Sequence, residues 1–518
     1  MDIPIVLNSN ILTILTFTLL AYIVLLPIYR LLLHPLSSIP GPKLAALTWW
    51  YEIYYDVCLP GQYNFKILSL HKKYGPILRI NPDEIHISDP DFLGEVYNAR
   101  KRNKAPEPSL DIEGSVAGTA EWDLHKQRRA AMTNFFSPKA VRELEPLLAR
   151  KRDVMVGVLE RYEGSGRVLN VSDLYFAYCW DLIQEYAFAI DSHVLKQDDG
   201  DLKEASELRA NSTDLLLQVN FTRYFGWINA LAEYFPGGLG ERIIPPGVMD
   251  LKRVSQRVAK VVREVMNGDE KSTEESRGKH KSIFYTIRDD PGLPASEKNA
   301  LRLQREGNFL VVAASDSPAR AIHITHFYLL DNPSCMAKLR GELQPLGAKP
   351  SMEALLDLPY LNAVFLEGTR LMFGLARRIF RVAPDDPIVY YDKKSGKEYV
   401  VPAGWNVGIS SLAVHGNEDI FPNPFDFKPE RWLLEDGVSP NKELRKYHMS
   451  FGAKSPRSCL GIHLAEAEMK FAIAAVARYA MELFETSVKD VAYLHDYQMA
   501  HGDLNSQGVR TIVRGKAW

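Results

Sequence analysis

No charged side chain stands between Asp2 and Arg30. The run Ile11 to Tyr29, ILTILTFTLLAYIVLLPIY, matches the roughly 20 mostly apolar residues that cross a bilayer as a helix. In lipid the backbone must satisfy its own polar groups, so a helix is the only local structure open to such a run. A cleaved signal peptide would carry its positive charge before the apolar stretch and end at a small-residue site. Here the cations follow, at Arg30 and Lys43, and no such site is present. We therefore read residues 1–34 as a single-pass anchor with Tyr22 and Tyr29 near an interface. Residues 35–43 read as a proline-rich hinge and 44–518 as one catalytic domain. The positive-inside rule then leaves that domain in the cytosol, where Asn170, Asn211 and Asn220 stay unglycosylated despite matching the acceptor pattern.

The rest is ordinary globular sequence, with 62 basic against 64 acidic side chains. No basic excess argues for nucleic acid. Cys58, Cys179, Cys335 and Cys459 are scattered, without the spacing of a zinc knuckle or a disulfide framework. No GxGxxG follows a strand, and GGLGE at Gly237 lacks the spacing, so no nucleotide-binding domain is expected. ILRINPDEIHIS alternates around Asn-Pro-Asp, and IVYYDKKSGKEYVVPAGWNVGIS turns at Ser395-Gly396; both read as hairpins. GDEKSTEESRGKHKS, from Gly268, reads as a solvated loop. Most of the remainder has helical period. Ser296 is expected to cap a helix running to Asp331, about 50 Å long. The fold class is mainly α with small β-sheets.

Cys459 lies in HMSFGAKSPRSCLGIHLAEAEM, just before a run with apolar residues at helical spacing. Helix N-termini and cations favour a thiolate, and Arg457 is two residues away. A thiolate there is a nucleophile or a metal ligand; the plainer reading is a buried cysteine acting as a small hydrophobe.

Four more stretches matter in order: WDLHKQRRAAMTNFF with His125 and Arg129, FLVVAASDSPARAI, LPYLNAVFLEGTRL with Glu367 and Arg370, and FPNPFDFKPERW with Arg431. With Cys459 at the end, this series resembles the cytochrome P450 family of haem-thiolate monooxygenases. IPGPKLAALT, RINPDEIHISDPDF and PERW look most like the fungal secondary-metabolite branch that includes trichodiene oxygenase. The resemblance implies the P450 fold behind one transmembrane helix. It implies haem b, with Cys459 as axial thiolate to the iron. His125, Arg129, Arg381 and Arg457 would meet the haem propionates. Glu367, Arg370 and Arg431 would form a buried structural cluster. Asp316 and Ser317 would deliver protons, and Phe309, Val312, Ala313, Leu375 and Ala376 would face the substrate, unless they are plain core. Lys126 and Arg128 would be a docking patch for a reductase or, more simply, a solvated helix face.

Two stretches depart from the family pattern. Phe451 stands eight residues before Cys459 rather than seven, and Ser455 occupies the usual glycine position. The oxygen turn reads Ala313-Ala314-Ser315-Asp316-Ser317-Pro318, with Ala314 for glycine and a proline that has no N–H for the Ala314 carbonyl. The expected function is oxidation of a lipophilic natural product at the endoplasmic reticulum membrane. Dioxygen would be the oxidant, with electrons supplied by NADPH-cytochrome P450 reductase. The alternatives are rearrangement, dehydration or coupling without net oxygen insertion, and a non-catalytic haem-binding protein.

Overall fold

The computed structural model describes residues 9–97, 101–106, 114–196, 202–227, 246–268 and 282–518. Gly237 and nearly all of the charged segment after Gly268 lie outside the described residues. Contacts group the chain into two units, residues 1–103 with 379–410, and residues 104–378 with 411–518.

The first unit begins with helix α1 (Ser9–Ile28). Residues Thr13–Leu33 have a mean hydropathy of 1.9 and none of that span is buried, which is long and apolar enough to cross a membrane. The segment after it is not a free hinge. Leu36 and Ile39 are buried, and the Pro40 carbonyl accepts the Arg79 N–H at 2.8 Å. Strands β1 (Ile77–Arg79) and β2 (Glu84–Ile87) form the first expected hairpin. Its turn is closed by Asn81, whose Oδ1 accepts the Asp83 N–H at 2.9 Å, an Asx turn.

Strand β3 (Ile379–Val382) follows in sequence from the second unit. Strands β4 (Ile388–Asp392) and β5 (Lys397–Val401) make the second hairpin, with Gly396 at φ +69° in its turn. The tail of that motif does something else. β6 (Asn406–Ile409) leaves the hairpin and lies parallel to β2 and antiparallel to β3. The sheet order is β1-β2-β6-β3, with residues 103–104 at its outer edge. Arg381 sits on β3, with its guanidinium 5.3 Å from the Tyr97 ring centroid.

In the second unit, helices α2 (Trp122–Thr133), α3 (Val171–Phe188), α4 (Pro246–Asn267), α5 (Ala300–Asp331), α6 (Pro359–Met372) and α7 (Ile462–Val476) carry most of the mass. α3 is buried on nearly every face, as befits a helix apolar all round. It packs along α5, which also contacts α4, α6 and α7. At 32 residues α5 spans about 48 Å. Its cap is Asn299, whose side chain accepts the Arg302 N–H, and not Ser296, which lies in a short 3-10 turn. The asparagine is the residue with β-region backbone one position before the helix. α6 comes so close to α5 that a Cβ on Gly368 would sit 1.8 Å from Thr325 Oγ1. Glycine is required there, and it seats Glu367 and Arg370 deep in the unit.

The acceptor-pattern asparagines are in use. Asn170 caps α3 and Asn220 is buried, donating to the Asp496 carbonyl at 2.7 Å.

Candidate active site

Glu367 and Arg370 are one helical turn apart on α6 and fully buried. Arg370 forks onto the carboxylate, with Nε and Nη2 each 2.8 Å from an oxygen. Arg431 Nε adds a bond at 3.0 Å, Trp432 Nε1 one at 2.9 Å and the Lys428 N–H one at 2.9 Å. Arg370 also donates to the carbonyls of His415, Pro424 and Asp426. A buried ion pair is tolerable when its remaining donors and acceptors are filled, and here they are. Trp432, the last residue of PERW, is a member that sequence reasoning left out.

The chain then runs to Cys459 through a loop with three successive left-handed residues: Gly452 (φ +91°), Ala453 (φ +54°) and Lys454 (φ +52°). A Cβ on Gly452 would approach Ser458 Cα to 3.1 Å. The extra residue ahead of Cys459 is thus absorbed upstream, and Ser455 has no need of glycine's freedom. Its hydroxyl accepts the Arg457 N–H at 3.2 Å. The Cys459 N–H closes the loop on the Phe451 carbonyl at 2.8 Å. α7 starts three residues on, at Ile462.

Two arginines fix the loop, one from outside it and one from within. Arg129, on α2, donates to the Ser458 carbonyl at 2.7 Å. Arg457 donates to the carbonyls of Thr119 and Ala120 at 2.7 and 2.8 Å and lies over the Trp122 ring. His125 is buried one turn before Arg129. Arg128 is neither a docking patch nor a solvated face. It is buried, bonded to Glu297 at 2.6 Å and Thr119 Oγ1 at 2.8 Å. Lys126, on the same helix, is exposed. Arg381 belongs to the first unit.

The electrostatics of Cys459 differ from the sequence expectation. Burial pushes its thiol up, and the Gly461 N–H and the Arg129 charge only partly oppose this. The opposing cation is Arg129, because Arg457 is turned to the 119–120 carbonyls. The protein alone therefore holds a thiol; a metal bound to the sulfur would displace the proton. The side chain is accessible, although desolvation by the surrounding protein dominates its chemistry. No group of three or more His, Cys, Asp or Glu among the described residues can hold a metal.

On α5, Phe309, Val312, Ala313 and Ser317 are half-buried, whereas Leu310, Val311 and Asp316 are buried. The helix runs unbroken through Pro318. Ser317 Oγ donates to the Ala313 carbonyl at 2.6 Å. Asp316 accepts from Arg320 Nε at 2.5 Å and lines a polar cavity of about 80 Å³ with Arg209, His323 and His501. The two expected proton carriers are both engaged. Leu375 is 46% exposed, but Ala376 is fully buried with its N–H on the Gln498 carbonyl.

Comparison with known proteins bears on this arrangement. A family model described as Cytochrome P450 matches residues 40–493. The chain is 34% identical over 517 residues to the cytochrome P450 monooxygenase tpcC of Cochliobolus heterostrophus, covering 95% of each chain. It is 35% identical over 532 residues to the cytochrome P450 monooxygenase sdnE of Sordaria araneosa, covering 98% of this chain and 99% of that one. It is 33% identical over 476 residues to the cytochrome P450 monooxygenase TRI4 of Fusarium sporotrichioides, covering 90% and 88%.

Proposed function

The chain belongs to the cytochrome P450 family, an oxidoreductase by that membership, and from this premise we propose that it is a membrane-anchored monooxygenase of fungal secondary metabolism that oxidises a lipophilic natural product. The observation that carries the reading is the accessible thiol of Cys459, on a loop fixed by Arg129 and Arg457. Haem b, bound through Cys459, supplies activation of dioxygen and transfer of one oxygen atom. The cations for its propionates are Arg129 and Arg457, with His125 as a ring N–H donor.

The other residues do simpler work. The Glu367–Arg370–Arg431 cluster holds the approach to the loop rigid. Phe309, Val312, Ala313 and Leu375 offer apolar surface to the substrate and exclude water from it. Ser317 Oγ is the hydroxyl that relays a proton, with Asp316 as the acidic residue beside it. Electrons come from NADPH through a separate cytochrome P450 reductase. Residues 1–34 anchor the chain in the endoplasmic reticulum membrane, 35–43 connect, and 44–518 form the catalytic domain on the cytosolic side. The apolar Thr13–Leu33 span, followed by basic residues, supports that orientation.

One observation favours a second reading, turnover without net oxygen insertion: Ser317 and Asp316 are both tied up within α5. Mass spectrometry of products formed with NADPH, reductase and labelled dioxygen separates the two, since only the first yields a product heavier by one labelled oxygen. Cys459→Ser is expected to abolish the red-shifted CO band of the reduced protein. Retention of that band would remove Cys459 as the ligand.

A further inference from the structure

Arg377 is 2% exposed, and none of its three guanidinium nitrogens has a hydrogen-bond partner. Arginine keeps its charge at any physiological pH, and a buried unpaired cation is among the costliest groups a fold can carry. Every other buried arginine named above is bonded to carbonyls or carboxylates. This one calls for a partner that the described residues do not supply.

Its setting narrows what that partner is. α6 ends at Met372, and the chain reverses through two left-handed residues, Phe373 (φ +64°) and Gly374 (φ +62°). A Cβ on Gly374 would stand 2.4 Å from the Ser450 carbonyl, so the 374–378 segment lies against the start of the loop that carries Cys459. On its other side the segment is held by the turn at Gln498, whose carbonyl accepts the N–H groups of Ala376 and Arg377. Gln498 is itself in a left-handed conformation (φ +74°), is 8% exposed, and its Oε1 has no donor. The nearby acid, Asp496, faces the neighbouring arginine, with Oδ2 3.9 Å from Arg378 Nη1. Two residues before Arg377, Leu375 is half-exposed and is read above as substrate-facing. The planar fork of an arginine matches an oxyanion held by two parallel bonds, and a carboxylate is the planar one.

We propose that Arg377 is a carboxylate-binding site and that the substrate of this chain is an amphiphile carrying a carboxylate, with its apolar body against Leu375 and the α5 strip. The proposal rests on the monooxygenase reading and adds to it the class of substrate. It makes Arg377 a determinant of specificity, since removal of the charge leaves the apolar contacts untouched. A haem propionate offers the same chemistry from another source, and the experiment separates the two.

The haem-loaded full-length protein is titrated at pH 7.5, where a carboxylic acid is ionised, with two matched pairs: lauric acid and methyl laurate, abietic acid and methyl abietate. Binding is read from the shift of the haem absorption band. The acids are expected to bind about tenfold or more tighter than their esters. Arg377→Met is expected to abolish that preference without weakening the esters, and Arg377→Lys to keep part of it. Haem content per chain and the ligand-free melting temperature are measured alongside. Arg377→Met is expected to keep full haem content and to melt no lower than the parent, because a charge without a partner is removed. Haem loss in Arg377→Met would assign the arginine to the propionate and overturn the substrate assignment. A lower melting temperature at full haem content would assign it to the fold. Absence of any acid preference in the parent protein, including absence of binding, also overturns the proposal. Failure of the parent to show the red-shifted CO band sinks the haem-thiolate reading instead, and is distinct from all three.

Discussion

Glu367 concentrates two guanidiniums, an indole and a backbone N–H on one carboxylate. With every donor filled, the cluster contributes rigidity, and its net stabilisation over an apolar replacement is small. Removing the negative charge alone is a different matter, because Arg370 and Arg431 stay buried. Glu367→Gln is expected to cost about 3–5 kcal/mol, seen in urea melts of the holoprotein and as reduced recovery of haem-loaded chain. A loss under about 1 kcal/mol would mean that the cluster is solvated in solution. The same residue scale accounts for what was legible at this site. An i,i+3 Glu–Arg pair can be seen in sequence, and so can PERW. That the Trp432 N–H completes the carboxylate cannot, because it depends on two segments sixty-five positions apart meeting in space.

α5 carries both the strip proposed to face substrate and the proposed proton carriers, and its sequence explains why it stays whole through Pro318. The serine one residue earlier donates to the Ala313 carbonyl, and Ser315 does the same to Val311 at 2.7 Å. Such back-bonding draws carbonyls outward and eases a bend in the helix. Ser317 therefore shapes the helix as well as being the proposed proton relay. Ser317→Ala is expected to retain haem and substrate binding while diverting electrons to hydrogen peroxide. The barrier to product should rise by about 1–3 kcal/mol, the range of general acid catalysis. The measurement is product formed per NADPH consumed. An unchanged ratio would strike Ser317 from the proton path and strengthen the non-oxygenating reading. The cap of this helix was misplaced by three residues in sequence because Ser296 and Asn299 are both good N-caps; packing of the preceding turn selects the asparagine.

Over the whole molecule, buried histidines set the response to acid. Burial lowers His448 to about 4 and His326 to about 3 from 6.5. Both therefore bind fewer protons folded than unfolded. Their stabilisation is complete above pH 6.5 and is lost as pH falls toward 4, by up to about 1.4 kcal/mol per pH unit for each. Melting temperature is expected to drop steadily from pH 7 to pH 4.5, and His448→Asn to flatten that slope. An identical slope in the variant would mean that His448 is not a contributor. The same scale governs localisation. Deleting residues 1–34 is expected to release a haem-bound domain from microsomes. Because Leu36 and Ile39 are buried and Pro40 is bonded to Arg79, the cut must fall before residue 35; removing the segment to Lys43 is expected to destabilise the domain as well. Fractionation of the intact chain as soluble would contradict the anchor.

The sequence by itself determined the local and covalent facts. The apolar N-terminal helix follows from the absence of charge, and the two hairpins from their turn residues. The mainly helical body follows from its period, and the family from the order of short motifs along the chain. Tertiary structure decided everything that depends on distance through space. It gave the Cys459 thiol a raised pKa where helix end and cation alone pointed to a lowered one, because burial outweighs both. It turned Arg457 and Arg128 inward onto the 119–120 segment. It moved the strained backbone of the cysteine loop from Ser455 to Gly452, Ala453 and Lys454, since an inserted residue shifts where the chain must reverse. It also left Arg377, an unremarked cation in the sequence, buried without a hydrogen-bond partner among the described residues. Charge can be counted from a sequence, but whether a charge has a partner is a property of the packed molecule alone.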